Sequence, residues 1–463
     1  MATRFRSGPD DIALRNASAG RVQLGFQLAR KAGKQVIRCI LIALTIAAMG
    51  CAPKPTQLSP PPNIYLNGAE YPAEEIPEPL RSVDPKLFFV TNRRPAGNDE
   101  PKGVFGKQRS DSMFFGEATV KFDVTDWDTL LRRTTGEEHR NWTSLTIGDV
   151  KEVVHFLPIP LPVDRRGDTV EFQTGPLSAY QNQGRAFKQA VSRTLSSLRQ
   201  DSVLLYIHGV NNTFDESLST LANLWHFSGR KSLPLAFSWP AGNPGLFGYF
   251  RDSAAGDFSV FHFKELLRLL AEVPEVKRID IVAHSHGSDV AMDGIRELVI
   301  QHRAAGLRPR RAMKTGTLIL AAADLDVGVV RQRLATERVE EAFEQLNFYI
   351  NPNDFALGLS AILTRTVRFG KLQREDLAPA EFESLLRESL VYFIRVENGD
   401  SSSSHAYFRR NPAVLSDIIL ALRTGAKPGS ASRPLVDLGD GFWLLPSHYP
   451  GPRPLDEASR PSR

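Results

Sequence analysis

The sequence predicts an α/β fold: a mostly parallel sheet with helices on both faces, and a β-rich N-terminal extension. Three observations carry this expectation. From about residue 185, strand-length apolar runs alternate with segments of helical period. The strands read as nearly continuous apolar runs, as in parallel sheets covered on both faces. One of them, Ile279–Ala283, runs into a serine flanked by small residues, and an amphipathic helix pattern follows at once.

In chain order, residues 1–50 read as a targeting leader. They carry eight Lys/Arg and two acids, so this segment is +6 and the remaining residues sum to −1 of the formal +5. Arg30, Lys31, Lys34 and Arg38 precede an apolar run from Cys39 to Met49, and Gly50-Cys51 follow. A basic stretch, an apolar core of that length and a small-residue zone describe a secretory signal. The run is short of the ~20 apolar residues of a comfortable membrane span. Ala48-Met49-Gly50-Cys51 resembles a bacterial lipobox, which implies lipidation of Cys51 and a membrane-anchored lipoprotein of the bacterial cell envelope, facing periplasm or exterior. An uncleaved signal anchor and an ordinary cleaved signal remain alternatives. Both cysteines, Cys39 and Cys51, lie in or beside this segment, so the mature body has no disulfide or cysteine metal cluster to lean on.

Residues 51–84 are rich in proline and read as an extended tether. Residues 85–184 read as an irregular, β-rich extension packed on the core, with strands at Leu87–Asn92 and Ala118–Val124. Residues 185–425 hold the alternating pattern. Strands are expected at Val203–Ile207, Leu233–Ser238, Ile279–Ala283, Thr317–Ala322, Leu346–Ile350 and Val391–Val396. Helices are expected at Glu216–Phe227, Ser259–Leu270, after Ser285, and at Glu381–Leu390. Asn411 caps a last helix, with Pro412 in its first turn and Gly425 beyond its end. Gly245–Phe250 reads as an apolar loop: a lid, a membrane-dipping tip or simple packing. Residues 426–463 are a Pro/Gly/Ser-rich tail with one apolar knot, Phe442–Leu445, that is able to dock back onto the body. The near-neutral body excludes nucleic acid as an electrostatically implied partner.

The chemistry centres on Ala283-His284-Ser285-His286-Gly287. A strand–turn–helix setting of this kind lifts a serine Oγ above the sheet edge. Ala283 stands where glycine is usual. A serine is a poor nucleophile unless a base takes its proton, and the base needs a third group to orient it. After His286 only His302, His405 and His448 follow. His302 ends the helix after the elbow and His448 lies in the tail. His405 follows the last strand of the alternating region, which makes it the candidate base, although a surface-loop histidine beside a serine run has the same appearance. Three aspartates follow strands: Asp324, Asp326 and Asp354. Each also fits a helix cap.

Several segments together resemble the alpha/beta-hydrolase superfamily and, more narrowly, a largely uncharacterised bacterial esterase/lipase-like family. They are Tyr206–Asn211, Phe237–Pro240, Ala283–Gly287, Asn353–Leu357, and His405 with Tyr407-Phe408. The resemblance implies an alpha/beta-hydrolase fold, the chain order serine, acid, histidine, and a triad of Ser285, Asp354 and His405. It favours Asp354 as the acid over Asp324 or Asp326, which remain alternatives. It also implies an oxyanion hole formed by the N–H groups of His286 and of Val210, in the His208-Gly209-Val210 loop. The expected function is a serine hydrolase of an ester or related acyl bond, with a small-molecule or lipid acyl substrate and no cofactor or metal. The alternative is a non-catalytic binding module on a hydrolase scaffold. His284-x-His286 also resembles the start of a metal-hydrolase motif, but Ser288 and Asp289 stand where its next ligands should be.

Overall fold

Successive residues of a strand face opposite sides, and in this chain both sides are apolar. Val203, Leu205 and Ile207 enter one core while Leu204 and Tyr206 enter the other. The same division holds for Ile281 against Val282 and for Leu320 against Ile319. A strand with two buried faces is stable only inside a layered α/β arrangement.

The computed structural model describes residues 56–67, 69–97, 103–138, 143–372, 390–397 and 405–451. The leader, Cys51 and nearly all of the helix expected at Glu381–Leu390 lie outside the described residues. Its strands are β1 (Thr56–Gln57), β2 (Lys86–Pro95), β3 (Phe105–Phe122), β4 (Ser144–His155), β5 (Val163–Arg166), β6 (Thr169–Phe172) and β7 (Ser202–Ile207). They continue as β8 (Leu233–Ser238), β9 (Arg278–His284), β10 (Thr315–Ala321), β11 (Gln345–Ile350), β12 (Val391–Val396), β13 (Val436–Gly439) and β14 (Phe442–Leu445). The helices of eight residues or more are α1 (Trp127–Thr134), α2 (Thr174–Leu198), α3 (Phe214–Phe227), α4 (Gly245–Ala271), α5 (Gly287–Ala304), α6 (Val327–Ala335), α7 (Phe355–Thr364) and α8 (Pro412–Thr424).

All strands but β5 and β6 join one sheet in the order β1-β4-β3-β2-β8-β7-β9-β10-β11-β12-β14-β13. Neighbours from β2 through β14 are parallel, and antiparallel pairs finish both ends. Helices α2, α4, α5 and α6 supply the core on one face. Helices α3 and α8 supply the other. The expected α/β class therefore stands. Asn411 caps α8 as its sequence implied, accepting from the N–H groups of Ala413 and Val414, with Pro412 in the first turn and Gly425 in a left-handed conformation at the end.

Two expectations differ. Residues 56–84 are not a tether: Ile64, Tyr65, Ile76 and Leu80 are buried, and Tyr65 and Tyr71 donate to the carbonyls of Phe227 and His226. Prolines lower the entropy lost on ordering, so a proline-rich segment carrying spaced aromatic and aliphatic residues is also a good surface strap. Gly245–Phe250 is not a loop but the first turns of α4, with Pro244 at its start and Leu246, Phe247 and Phe250 exposed. Its apolar residues point outward, which hid the helical period. The apolar knot of the tail docks on the body, as its sequence allowed, and does so as β14, a parallel neighbour of β12.

The tail also sends one charge into the interior. Arg433, fully buried, donates to Asp417 Oδ1 and Oδ2 at 2.9 and 2.8 Å, and to Asn347 Oδ1 at 2.9 Å. Removing one partner of such a pair strands a carboxylate without solvent. Arg433→Met is expected to lower unfolding stability by about 3–5 kcal/mol, read from urea denaturation. A loss below ~1 kcal/mol would mean that Asp417 is solvated.

Candidate active site

Strand β9 ends at His284, and the chain reverses at Ser285 with φ +54° before α5 begins. A left-handed φ is costly for serine and persists only where the surroundings impose it. Here Ser285 N donates to Ala321 O at 3.0 Å, and Ser285 O accepts from the N–H groups of Ser288 and Asp324. A Cβ on Gly287 would collide with the His208 carbonyl, so this position requires glycine.

The geometry around the serine is compact. His405 Nε2 lies 2.8 Å from Ser285 Oγ, and His405 Nδ1 lies 2.8 Å from Asp354 Oδ2. A carboxylate only accepts, so Nδ1 carries the proton and Nε2 is left to accept from the serine hydroxyl. Asp354 is buried and also caps α7, its Oδ1 accepting from Leu357 N at 3.1 Å. Cap and histidine partner are thus the same residue. Asp326 is a helix cap for α6, accepting from Val329 N. Asp324 accepts from Tyr249 Oη at 2.8 Å and Ser360 Oγ at 2.7 Å, and pairs with Arg368 Nε at 3.2 Å. Burial, and the Asp324 charge beside it, push the Tyr249 phenol up to about 12, so it remains a donor. Of the three aspartates, Asp354 is the one within hydrogen-bond reach of His405.

The loop after β7 closes over the serine. A Cβ on Gly209 would stand 2.7 Å from Ser285 Cβ, which shows how near this backbone comes. Val210 follows it and packs partly buried against the core. His286 opens α5 as its N-cap. His208 does not face the site. Its Nε2 receives Arg93 Nη2 at 3.2 Å, so Nδ1 carries the proton and donates to Gly209 O at 2.8 Å. Burial and then the Arg93 charge push its pKa down to about 3 and keep it neutral. Trp239 is buried, stacked on His208 and donating to its carbonyl at 2.7 Å. His284 lies under His405, close to the His405 carbonyl at 3.1 Å and stacked on Phe408. Burial, then the nearby His405, hold it neutral, so its Nε2–H donates to that carbonyl.

Sequence reasoning gave no role to three supports. Arg93 of β2 is buried and reaches Ser238 Oγ, Gly106 O, Ala241 O and Asn212 O besides His208. Asp252 of α4 is buried and accepts from the N–H groups of Asn211 and Gly242 at 2.7 and 3.1 Å. Tyr407 accepts from Ala322 N and donates to Tyr349 O, fixing the segment that carries His405 to the strand ends. Tyr407 was within the recognisable set. Nothing in spacing marked Arg93 or Asp252, whose partners come from other loops and strands.

No helix among the described residues is long and apolar enough to cross a membrane. No curated protein matches the chain. Residues 183–423, just over half of it, match the model of a family described as an alpha/beta hydrolase of unknown function (DUF900). With this match and a parallel sheet of the expected kind, the chain belongs to that alpha/beta-hydrolase family.

Proposed function

We propose that this protein is a serine hydrolase of carboxylic esters or related acyl bonds. Family membership supports hydrolase chemistry in general terms. The observation that carries the finer reading is the pair of 2.8 Å contacts linking Ser285, His405 and Asp354. In this reading His405 takes the Ser285 proton as Oγ attacks the acyl carbonyl, and Asp354 stabilises the resulting imidazolium. His405 then returns the proton to the leaving group, and water releases the acyl enzyme by the same route. The N–H groups of His286 and Val210 hold the oxyanion; loss of one such donor costs about 100- to 1,000-fold in rate. In this reading Asp252, accepting from Asn211 N, and Arg93, donating to Asn212 O, steady the chain just after the Val210 donor. A metal or organic cofactor has no step in this scheme.

The test is covalent labelling of the full chain, in detergent, by a fluorophosphonate, beside Ser285→Ala. No labelling of a folded wild type would favour a binding module on the hydrolase scaffold.

We also propose that Cys51 anchors the enzyme in the bacterial cell envelope, the partner there being the membrane itself. The basic stretch, the apolar run and Cys51 in the first residues support this. Cys51→Ala is expected to move the protein from the detergent phase to the aqueous phase in Triton X-114 partitioning. Retention in the detergent phase would mean that the apolar run itself is the anchor.

A further inference from the structure

Beside the elbow, on the seam between α4 and α5, lies a cluster whose side chains the hydrolytic scheme does not use. Asp257 on α4, His286 and Asp289 on α5 place one ligand atom each within 4.8 Å of one another. His286 is 7% exposed, and neither ring nitrogen has a hydrogen-bond partner among the described residues. An imidazole buried with both nitrogens unsatisfied is expensive, and such a group calls for a missing partner. The ring is confined by Trp239 and Tyr249, with centroids 6.0 and 6.4 Å away, so it has little room to turn elsewhere. A Cβ on Gly256 would stand 3.0 Å from His286 Nε2, so the α4 backbone approaches this nitrogen closely.

The electrostatics favour a cation. Asp257, Asp289 and Asp293 share this corner with Arg333, which reaches Asp293 at 2.5 Å and Asp289 Oδ1 at 3.4 Å. Arg296 nearby is taken by Glu337. Three carboxylates against one guanidinium leave negative charge beside a buried imidazole.

We infer that Asp257, His286 and Asp289 form a divalent transition-metal site of the Zn²⁺ class. An imidazole nitrogen selects against Ca²⁺ and Mg²⁺, which prefer all-oxygen shells. Donors on a tetrahedral zinc stand roughly 3.3 Å apart, from bond lengths near 2.0–2.1 Å. The donors must therefore close by up to about 1.5 Å, which the exposed Asp257 side chain is free to do, and water completes the shell. The ion is structural: it ties α4 to the first turn of α5. Binding does not depend on Ser285 being a nucleophile, so zinc retention and serine labelling fail independently.

The test is metal content of the full chain in detergent, after loading with Zn²⁺ and dialysis against metal-free buffer. One equivalent is expected per wild-type chain, with a rise in Tm. In Asp257→Ala and in Asp289→Ala the affinity should fall tenfold or more, with circular dichroism in metal-free buffer unchanged. Should Asp289→Ala unfold through loss of its Arg333 contact, the exposed Asp257→Ala alone decides. Less than one equivalent on wild type, or equal retention in Asp257→Ala, would overturn the site and leave His286 as an imidazole partnered by water.

Discussion

Ser285→Ala should abolish fluorophosphonate labelling and lower ester hydrolysis by about 10⁶-fold, with Tm close to that of wild type. The substitution removes one oxygen whose hydrogen bond is to His405 Nε2. It leaves the backbone bonds that hold the reversal, from Ser285 N to Ala321 O and from Ser288 N to Ser285 O. Alanine at φ +54° carries the same order of strain as serine, about 1–3 kcal/mol. Folding and chemistry should therefore separate cleanly. Labelling that survives in the variant would place the reactive group elsewhere and remove the central claim.

Asp354→Asn should reduce kcat by about 10⁴-fold with a much smaller change in KM. Asparagine caps helices as well as aspartate does, so the start of α7 should persist. What changes is the partner of His405 Nδ1. An amide brings no charge to steady the imidazolium, and its NH₂ favours the tautomer with the proton on the wrong nitrogen. Asp324→Asn is the control. Its carboxylate serves Tyr249, Ser360 and Arg368, so its loss should act on local packing and leave the proton path intact. Full turnover in Asp354→Asn, with loss in Asp324→Asn, would move the acid one strand earlier.

The strands of the parallel region were legible because burial on both faces leaves an unbroken apolar run, as in Leu233–Ser238, where expected and observed bounds coincide. The elbow was legible because a serine between small residues stands where an apolar strand gives way to a helical period. Residues 56–84 were misread because proline content reports stiffness, not whether a stiff segment is docked. Helix α4 was cut short because Leu246, Phe247 and Phe250 face solvent and break the amphipathic period that betrays a helix. Arg93 was invisible in principle. An arginine at the end of an apolar strand looks like any solvated charge until five distant acceptors converge on it.

The continuity of the sheet has a practical consequence for anyone dissecting this molecule. Strands β8 and β12 would be the rims of a fragment cut to residues 185–425, yet in the intact chain both are interior, paired with β2 and β14. Such a fragment would bare two long apolar rims of unpaired amides, each a template for self-association. It would also lose the guanidinium that braces the loop over the serine. What looks in sequence like a catalytic module with decorations is, mechanically, a keystone arch: the flanking stones carry the load that keeps the centre open for work.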